Sequence, residues 1–250
     1  MDIKLDSVSK SFGKNQVLAD ISFSIPSGEI ICLLGPSGSG KTTIIRLMIG
    51  AIATDSGTIH FGDTSVPNLN LLGKIGFMPQ ADALYDDLSG EGNLKFFARL
   101  YGMKLGVAKK RIDETLALVG LSGDRKKLVR QYSGGMKKRL SLAAALIHEP
   151  EVLLLDEPTV GIDPVLRRTI WQQFQAIRRS GKTILVSTHL MDEVSECDKA
   201  ALLYNGRLIQ YAPVDELLAK TVNGKIEELF LAAGAAGAAG ATGREGGNDA

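Results

Sequence analysis

The chain is poor in several features that would narrow its chemistry at once. It has 2 cysteines, Cys32 in an apolar run and Cys197 in a polar one. They offer no metal-ligand spacing, and a reduced, intracellular compartment is the expectation that follows. It carries almost no net charge, since 29 basic and 28 acidic residues leave +1 over 250 residues. A global basic field is therefore absent, and no nucleic-acid partner is expected. No apolar stretch approaches the roughly 20 residues that a membrane span requires. The N-terminal MDIKLDSVSK is polar and lacks the apolar region of a signal peptide. Work at a membrane would need an anchor from elsewhere. No repeat is long enough to indicate a second copy of a domain.

What is present is ordinary globular composition, 44% hydrophobic and 23% charged. Residues 1–31 hold alternating segments, IKLDSV and VLADISFSI, that read as antiparallel strands. Ile30–Leu34 is continuously apolar, as expected of a strand buried on both faces, and it leads through a glycine-rich loop into the helical TTIIRLMIG. From 81 to 150 the pattern changes to three helix-like segments, NLKFFARLYGM, AKKRIDETLALVGL and MKKRLSLAAALIHEP. Strand patterns return at Val152–Leu155 and Thr183–Val186, with the helical RRTIWQQFQAIRRS between them. ALLYNGRLIQY reads as a hairpin turning at Asn205-Gly206, followed by the short helix VDELLAK. The fold class expected is α/β: a core with a mainly parallel sheet, an N-terminal antiparallel β-subdomain, and a helical subdomain inserted at about 81–150. One domain is expected over 1–230, and the Gly/Ala-rich 231–250 is expected to be a flexible tail without a site.

Gly35-Pro36-Ser37-Gly38-Ser39-Gly40-Lys41-Thr42 fits G-x-x-x-x-G-K-[ST], preceded by a buried strand and followed by a helix. Glycines let backbone N–H groups wrap a phosphate chain, Lys41 supplies a point charge to the β/γ-phosphates, and the Thr42 hydroxyl suits Mg²⁺. In VLLLDE, Asp156 and Glu157 stand just past an apolar strand. Asp156 suits an outer contact to Mg²⁺, and Glu157 suits polarising an attacking water. Alone, such a pair would be an acidic strand cap. His189 follows a third apolar strand in LVSTHLMDE and suits sensing a γ-phosphate, whereas His60 and His148 lack that context and read as structural. Gln80, ending IGFMPQ, suits orienting water or Mg²⁺, although an isolated Gln is ordinarily a turn residue. YSGGMKKRL at 132–140 begins a helix with bare backbone and cations. Ser133 as a plain N-cap and an anion site at a helix start both fit.

Taken together, these residues resemble an ATP-binding cassette (ABC) transporter ATPase subunit over about residues 1–220. The Walker A motif is GPSGSGKT, the Walker B motif VLLLDE and the signature YSGGM at 132–136. Gln80 matches the Q-loop, Val160–Asp163 the D-loop and His189 the switch histidine. The resemblance implies that ATP is held by Gly35 through Thr43, and that Mg²⁺ is held near Thr42, Gln80 and Asp156. Catalysis is implied for Glu157, His189, Gln80 and Lys41. It also implies that Ser133, Gly134 and Gly135 act in trans on the ATP of a second ATPase subunit, in a homo- or heterodimer joined head to tail. Phe12 becomes the aromatic stacked on adenine, where the family more often has Tyr. A membrane-spanning permease is the other implied partner, with the chain at the cytoplasmic face of the cell membrane. Met136 in place of the usual Gln, and Tyr132 in place of Leu, resemble the branch of bacterial drug, antibiotic and polysaccharide exporters, which favours export. Gly92 stands where relatives usually have Glu before Asn-Leu. A soluble cassette acting on ribosomes or DNA fits less well, because there is one cassette and no heptad insert. A non-catalytic nucleotide-binding regulator is opposed by the intact Lys41, Glu157 and His189.

Overall fold

The computed structural model describes residues 1–242. Ten strands form two sheets. An antiparallel sheet has the order β2-β1-β4-β5, from β1 (Ile3–Phe12), β2 (Asn15–Ile25), β4 (Ser56–Phe61) and β5 (Thr64–Ser65). The second sheet has the order β10-β9-β3-β8-β7-β6. It comprises β3 (Ile30–Leu34), β6 (Ile75–Met78), β7 (Val152–Asp156), β8 (Thr183–Thr188), β9 (Lys199–Tyr204) and β10 (Arg207–Pro213). All its pairings are parallel except β9–β10. That exception is the hairpin at Asn205-Gly206, where both turn residues have positive φ (46° and 72°), as a tight primed turn requires. The Gly206 carbonyl accepts from Ala19 N at 2.8 Å, and a Cβ on Gly206 would lie 2.3 Å from the Val17 carbonyl, so this turn docks against β2.

The helices are α1 (Lys41–Met48), α2 (Leu69–Leu72), α3 (Gly90–Leu100), α4 (Leu105–Leu118), α5 (Gly134–Leu146), α6 (Pro164–Arg179), α7 (Val214–Leu218) and α8 (Glu227–Thr242). Between β6 and β7 lie only α3, α4, α5, 3-10 turns and loops, so the helical insert divides two adjacent parallel strands. The continuous apolarity of the central strands has a direct cause. Cys32, Leu34, Leu153, Leu155, Ile184 and Val186 face a core shared with the insert and α6. Their alternates Ile31, Leu33, Val152, Leu154 and Leu185 face a second core under α1 and the antiparallel sheet. Both pleat faces are buried, so alternation disappears.

In the Gly/Ala-rich segment, expected to be a flexible tail from 231, helix α8 continues to Thr242, and residues 243–250 lie outside the described residues. Alanine is the strongest helix former. Ile226 and Phe230 also anchor the helix start in the core, with Phe230 packed edge-on to Tyr204 at 6.5 Å.

Candidate active site

Parallel registry brings the chemistry to one edge. Leu34 pairs with Thr188, Asp156 with Ser187 and Leu155 with Met78, so β3, β8, β7 and β6 end side by side. The residues just beyond those ends are Gly35 and its loop, His189, Glu157 and Gln80, placed at the carboxyl edge where open α/β sheets bind ligands.

Glu157 is the hub. Its backbone is left-handed at φ 50°, an uncommon state for a residue with a side chain. The state is held by its own N–H, which donates to the Ser187 carbonyl at 3.1 Å and to Ser187 Oγ at 3.0 Å. One carboxylate oxygen, Oε2, accepts from Gln80 Nε2 at 2.9 Å. The other, Oε1, lies 3.1 Å from His189 Nδ1 and 3.9 Å from Lys41 Nζ. Four residues predicted from three strand ends and a loop therefore meet at one carboxylate. Ser187, absent from the sequence reading, also donates to Asp156 Oδ1 at 2.5 Å and so fixes both acids. Its signal was a polar residue directly after the apolar run ILV, two positions before His189.

The phosphate loop is a cradle. Lys41 is buried, and its ammonium donates to the carbonyls of Gly35 (2.8 Å) and Pro36 (3.0 Å). Burial pulls its pKa below the usual lysine range, opposed by the carboxylates of Glu157 and Asp156. Gly40 caps α1 with φ 105°, and a Cβ there would lie 2.5 Å from Leu18 Cδ2. Ser39 Oγ is buried without a partner among the described residues. Ser37, Gly38, Gly40, Lys41, Thr42 and Thr43 line a cavity of about 250 Å³ together with Val17, Gln80 and Glu157. Val17 was not foreseen. Phe12 does not line this cavity; it sits half-exposed at the β1–β2 turn, with Lys10 Nζ 5.6 Å from its ring centre. A neighbouring cavity of about 240 Å³ gathers Thr42, Gln80 and Asp156. These are oxygen donors, because the Gln80 amide nitrogen is committed to Glu157 and leaves its Oε1 as acceptor. A hydroxyl, an amide oxygen and a carboxylate suit Mg²⁺, which takes few protein ligands beside phosphates. No cluster of three His, Cys, Asp or Glu suited to a metal occurs among the described residues.

The signature stands apart. Ser133 is exposed and caps α5, accepting from Met136 N at 3.2 Å. Neither it nor Gly134 or Gly135 lines the phosphate-loop cavity. Tyr132 is buried and donates to the Asp124 carbonyl at 2.9 Å. A Cβ on Gly90 would lie 2.3 Å from its hydroxyl, so the residue opening α3 must be small. With Ser89 capping α3 through Gly92 N, the Ser-Gly-Glu-Gly start is well ordered without a Glu at 92. Lys138, also unforeseen, ties α5 to the core by donating to the Gln80 carbonyl at 2.5 Å. Asp163 caps α6 through Leu166 N at 3.0 Å. His148 is structural, as expected. It stacks on Tyr101 at 3.7 Å, with Nε2 3.1 Å from the Ile75 carbonyl, and burial lowers its pKa to about 4.

A family profile described as ABC transporter matches residues 18–160. The chain belongs to the ABC transporter family. It is 38% identical to the linearmycin resistance ATP-binding protein LnrL of Bacillus subtilis, over 92% of this chain and 78% of that protein. It is 36% identical to the Nod factor export ATP-binding protein I of Paraburkholderia xenovorans, over 91% of this chain and 76% of that one. Among solved structures it is similar to cbiO1 of Clostridium perfringens, part of an ABC transporter complex, at 28% identity and a TM-score of 0.80, covering 87% and 90%. It is also similar to a dimeric ATP-binding cassette in a post-hydrolysis state bound to ADP and Pi, at 26% identity and a TM-score of 0.78, covering 84% and 98%. This ABC transporter subunit binds and hydrolyses ATP, which implies a membrane permease partner and dimerisation. No helix among the described residues is long and apolar enough to cross a membrane.

Proposed function

We propose that the chain drives export through a separate permease at the cytoplasmic face of the membrane, by closing head to tail on a second ATPase subunit. Support for export comes from the relatives, whose names concern linearmycin resistance and Nod factor export. The observation that carries the mechanism is the Glu157 carboxylate held between Gln80, His189 and Lys41. Glu157 takes a proton from the attacking water. His189 orients that carboxylate, and Gln80 reads both the carboxylate and the Mg²⁺ site. Lys41 and the loop N–H groups bind the β/γ-phosphates. Thr42, Gln80 and Asp156 would hold Mg²⁺, which when bound neutralises charge on the phosphate oxygens. Ser133, Gly134 and Gly135 meet the partner's ATP, a reading supported by their separation from their own cavity. Phe12 offers an exposed ring to adenine. Tyr85, Leu88 and Phe96, all exposed beside the Gln80 strand end, suit the permease contact.

The test is co-purification with the permease, with ATPase activity stimulated by the exported compound. Full activity from monomer alone at all protein concentrations would overturn the dimer.

A further inference from the structure

The chain is nearly neutral, but its charge is unevenly spread. Residues 81–150 hold 13 basic and 8 acidic residues, a net +5, leaving −4 for the remainder of a chain of net +1. Within that insert, residues 92–112 contain no acidic residue and six basic ones. This stretch covers most of α3, the turn after it and the first half of α4. Three of its cations are already engaged. Lys95 pairs with Glu91, Lys110 with Glu114, and Arg111 turns to Glu114, Glu149 and the carbonyls of Leu146 and Ile147. The other three, Arg99, Lys104 and Lys109, have no carboxylate partner among the described residues.

The same corner exposes apolar side chains. Leu100 is 69% exposed, Leu105 80% and Val107 52%, all within one turn of the α3–α4 connection. Arg99, Leu105 and Lys109 also border one cavity of about 390 Å³, with Met103, Ala108 and Ile112 as its apolar lining. The one carboxylate on that cavity, Glu91, is occupied by Lys95 and Arg125. Protruding leucines flanked by unpaired cations on long flexible stems do not specify a rigid complementary partner. They match an interface that is apolar below, anionic at its surface and fluid in the plane.

We propose that the α3–α4 corner contacts an anionic lipid bilayer. Leu100, Leu105 and Val107 enter the interfacial layer, and Arg99, Lys104 and Lys109 meet lipid phosphates, one head group fitting the cavity between Arg99 and Lys109. Such a contact adds to whatever the permease supplies and orients the insert toward the membrane. It depends neither on hydrolysis nor on the permease, because none of its residues belongs to the nucleotide site.

The test is flotation of the full chain with vesicles that carry no permease, either phosphatidylcholine alone or with roughly one-third phosphatidylglycerol. Binding is expected to the anionic vesicles alone and should fall steeply with salt. At about 1 kcal/mol per cation near the surface, Arg99→Gln, Lys104→Gln and Lys109→Gln together should lower partitioning on the order of a hundredfold, about fivefold each. Leu105→Ser with Val107→Ser should weaken it further. Unchanged melting temperature and ATP affinity will show that these surface variants fold. No vesicle binding, equal binding to neutral vesicles, or a triple variant that binds like the parent would each overturn the proposal. So would full competition by soluble glycerol phosphate, which would make the site an anion pocket and not a membrane contact.

Discussion

Two helices of this protein begin in glycine-rich sequence, α1 after GPSGSG and α5 after YS, and they solve the same problem in opposite ways. Each leaves backbone N–H groups without intrahelical partners. At α5 the Ser133 hydroxyl accepts from Met136 N, so one of these groups is met within the chain, and Ser133 faces solvent. At α1 there is no side-chain cap. Gly40 is bent to φ 105°, the Lys41 ammonium is buried, and carboxylates stand beyond it. On the proposed function, the uncapped start of α1 holds the chain's own ATP, and the start of α5, only partly capped, meets the ATP of a second subunit. That reading ties the two roles to a difference in capping.

The largest expected effect probes the α1 side of that contrast. Glu157→Gln should keep ATP affinity while turnover falls roughly 10²–10⁴-fold, the range for loss of a general base. The ATP-bound dimer should accumulate in gel filtration. Substantial retained turnover would move water activation to His189.

Next, the two helix starts should fail differently. Lys41→Ala should weaken ATP binding to the free monomer roughly 100-fold, because a desolvated triphosphate loses its charged donor. Ser133→Arg should leave that binding intact and stop hydrolysis and dimerisation. Nucleotide titration alongside a phosphate-release assay separates them, and equal losses of binding would erase the comparison.

A smaller effect concerns stability. Ser133→Ala removes one cap and should cost about 1 kcal/mol. Gly40→Ala should cost more, a few kcal/mol, since its Cβ would strike Leu18 at 2.5 Å in a conformation already hostile to side chains. Denaturant midpoints of the two variants decide the order.

An effect felt only at acid pH lies just past the other end of α5. His148 has a folded pKa of about 4, below its ordinary 6.5, because burial disfavours the imidazolium. Between those values the unfolded chain binds a proton that the folded chain refuses. The His148 contribution is therefore complete above about pH 6.5 and is lost as pH falls toward about 4. His148→Gln should flatten that part of the stability profile.

Most of this architecture was legible because its signals are local. IICLL reads as a strand buried on two faces, VLLL and TILV read as strands, and the glycines between Leu34 and Lys41 mark a phosphate loop. The two-residue strand β5 and the strand β4 before it went unread, because SGTIHF is short and half polar. Composition alone does not foretell α8, whose start Phe230 holds to Tyr204. Lys138 and Val17 were invisible, since nothing in sequence says that α5 passes the end of β6 or that β2 borders the phosphate loop.

By itself, then, the sequence determined which residues are candidates for the chemistry, because phosphate binding and water activation demand particular groups at particular distances from a strand end. Only the tertiary structure decided how they work on one another. Parallel registry set Glu157, Gln80 and His189 side by side, Ser187 clamped both acids, and the signature was kept off its own cavity. Those relations join residues as far apart as 77 positions in the chain, from Gln80 to Glu157, and such long-range contacts exist only once both cores are packed.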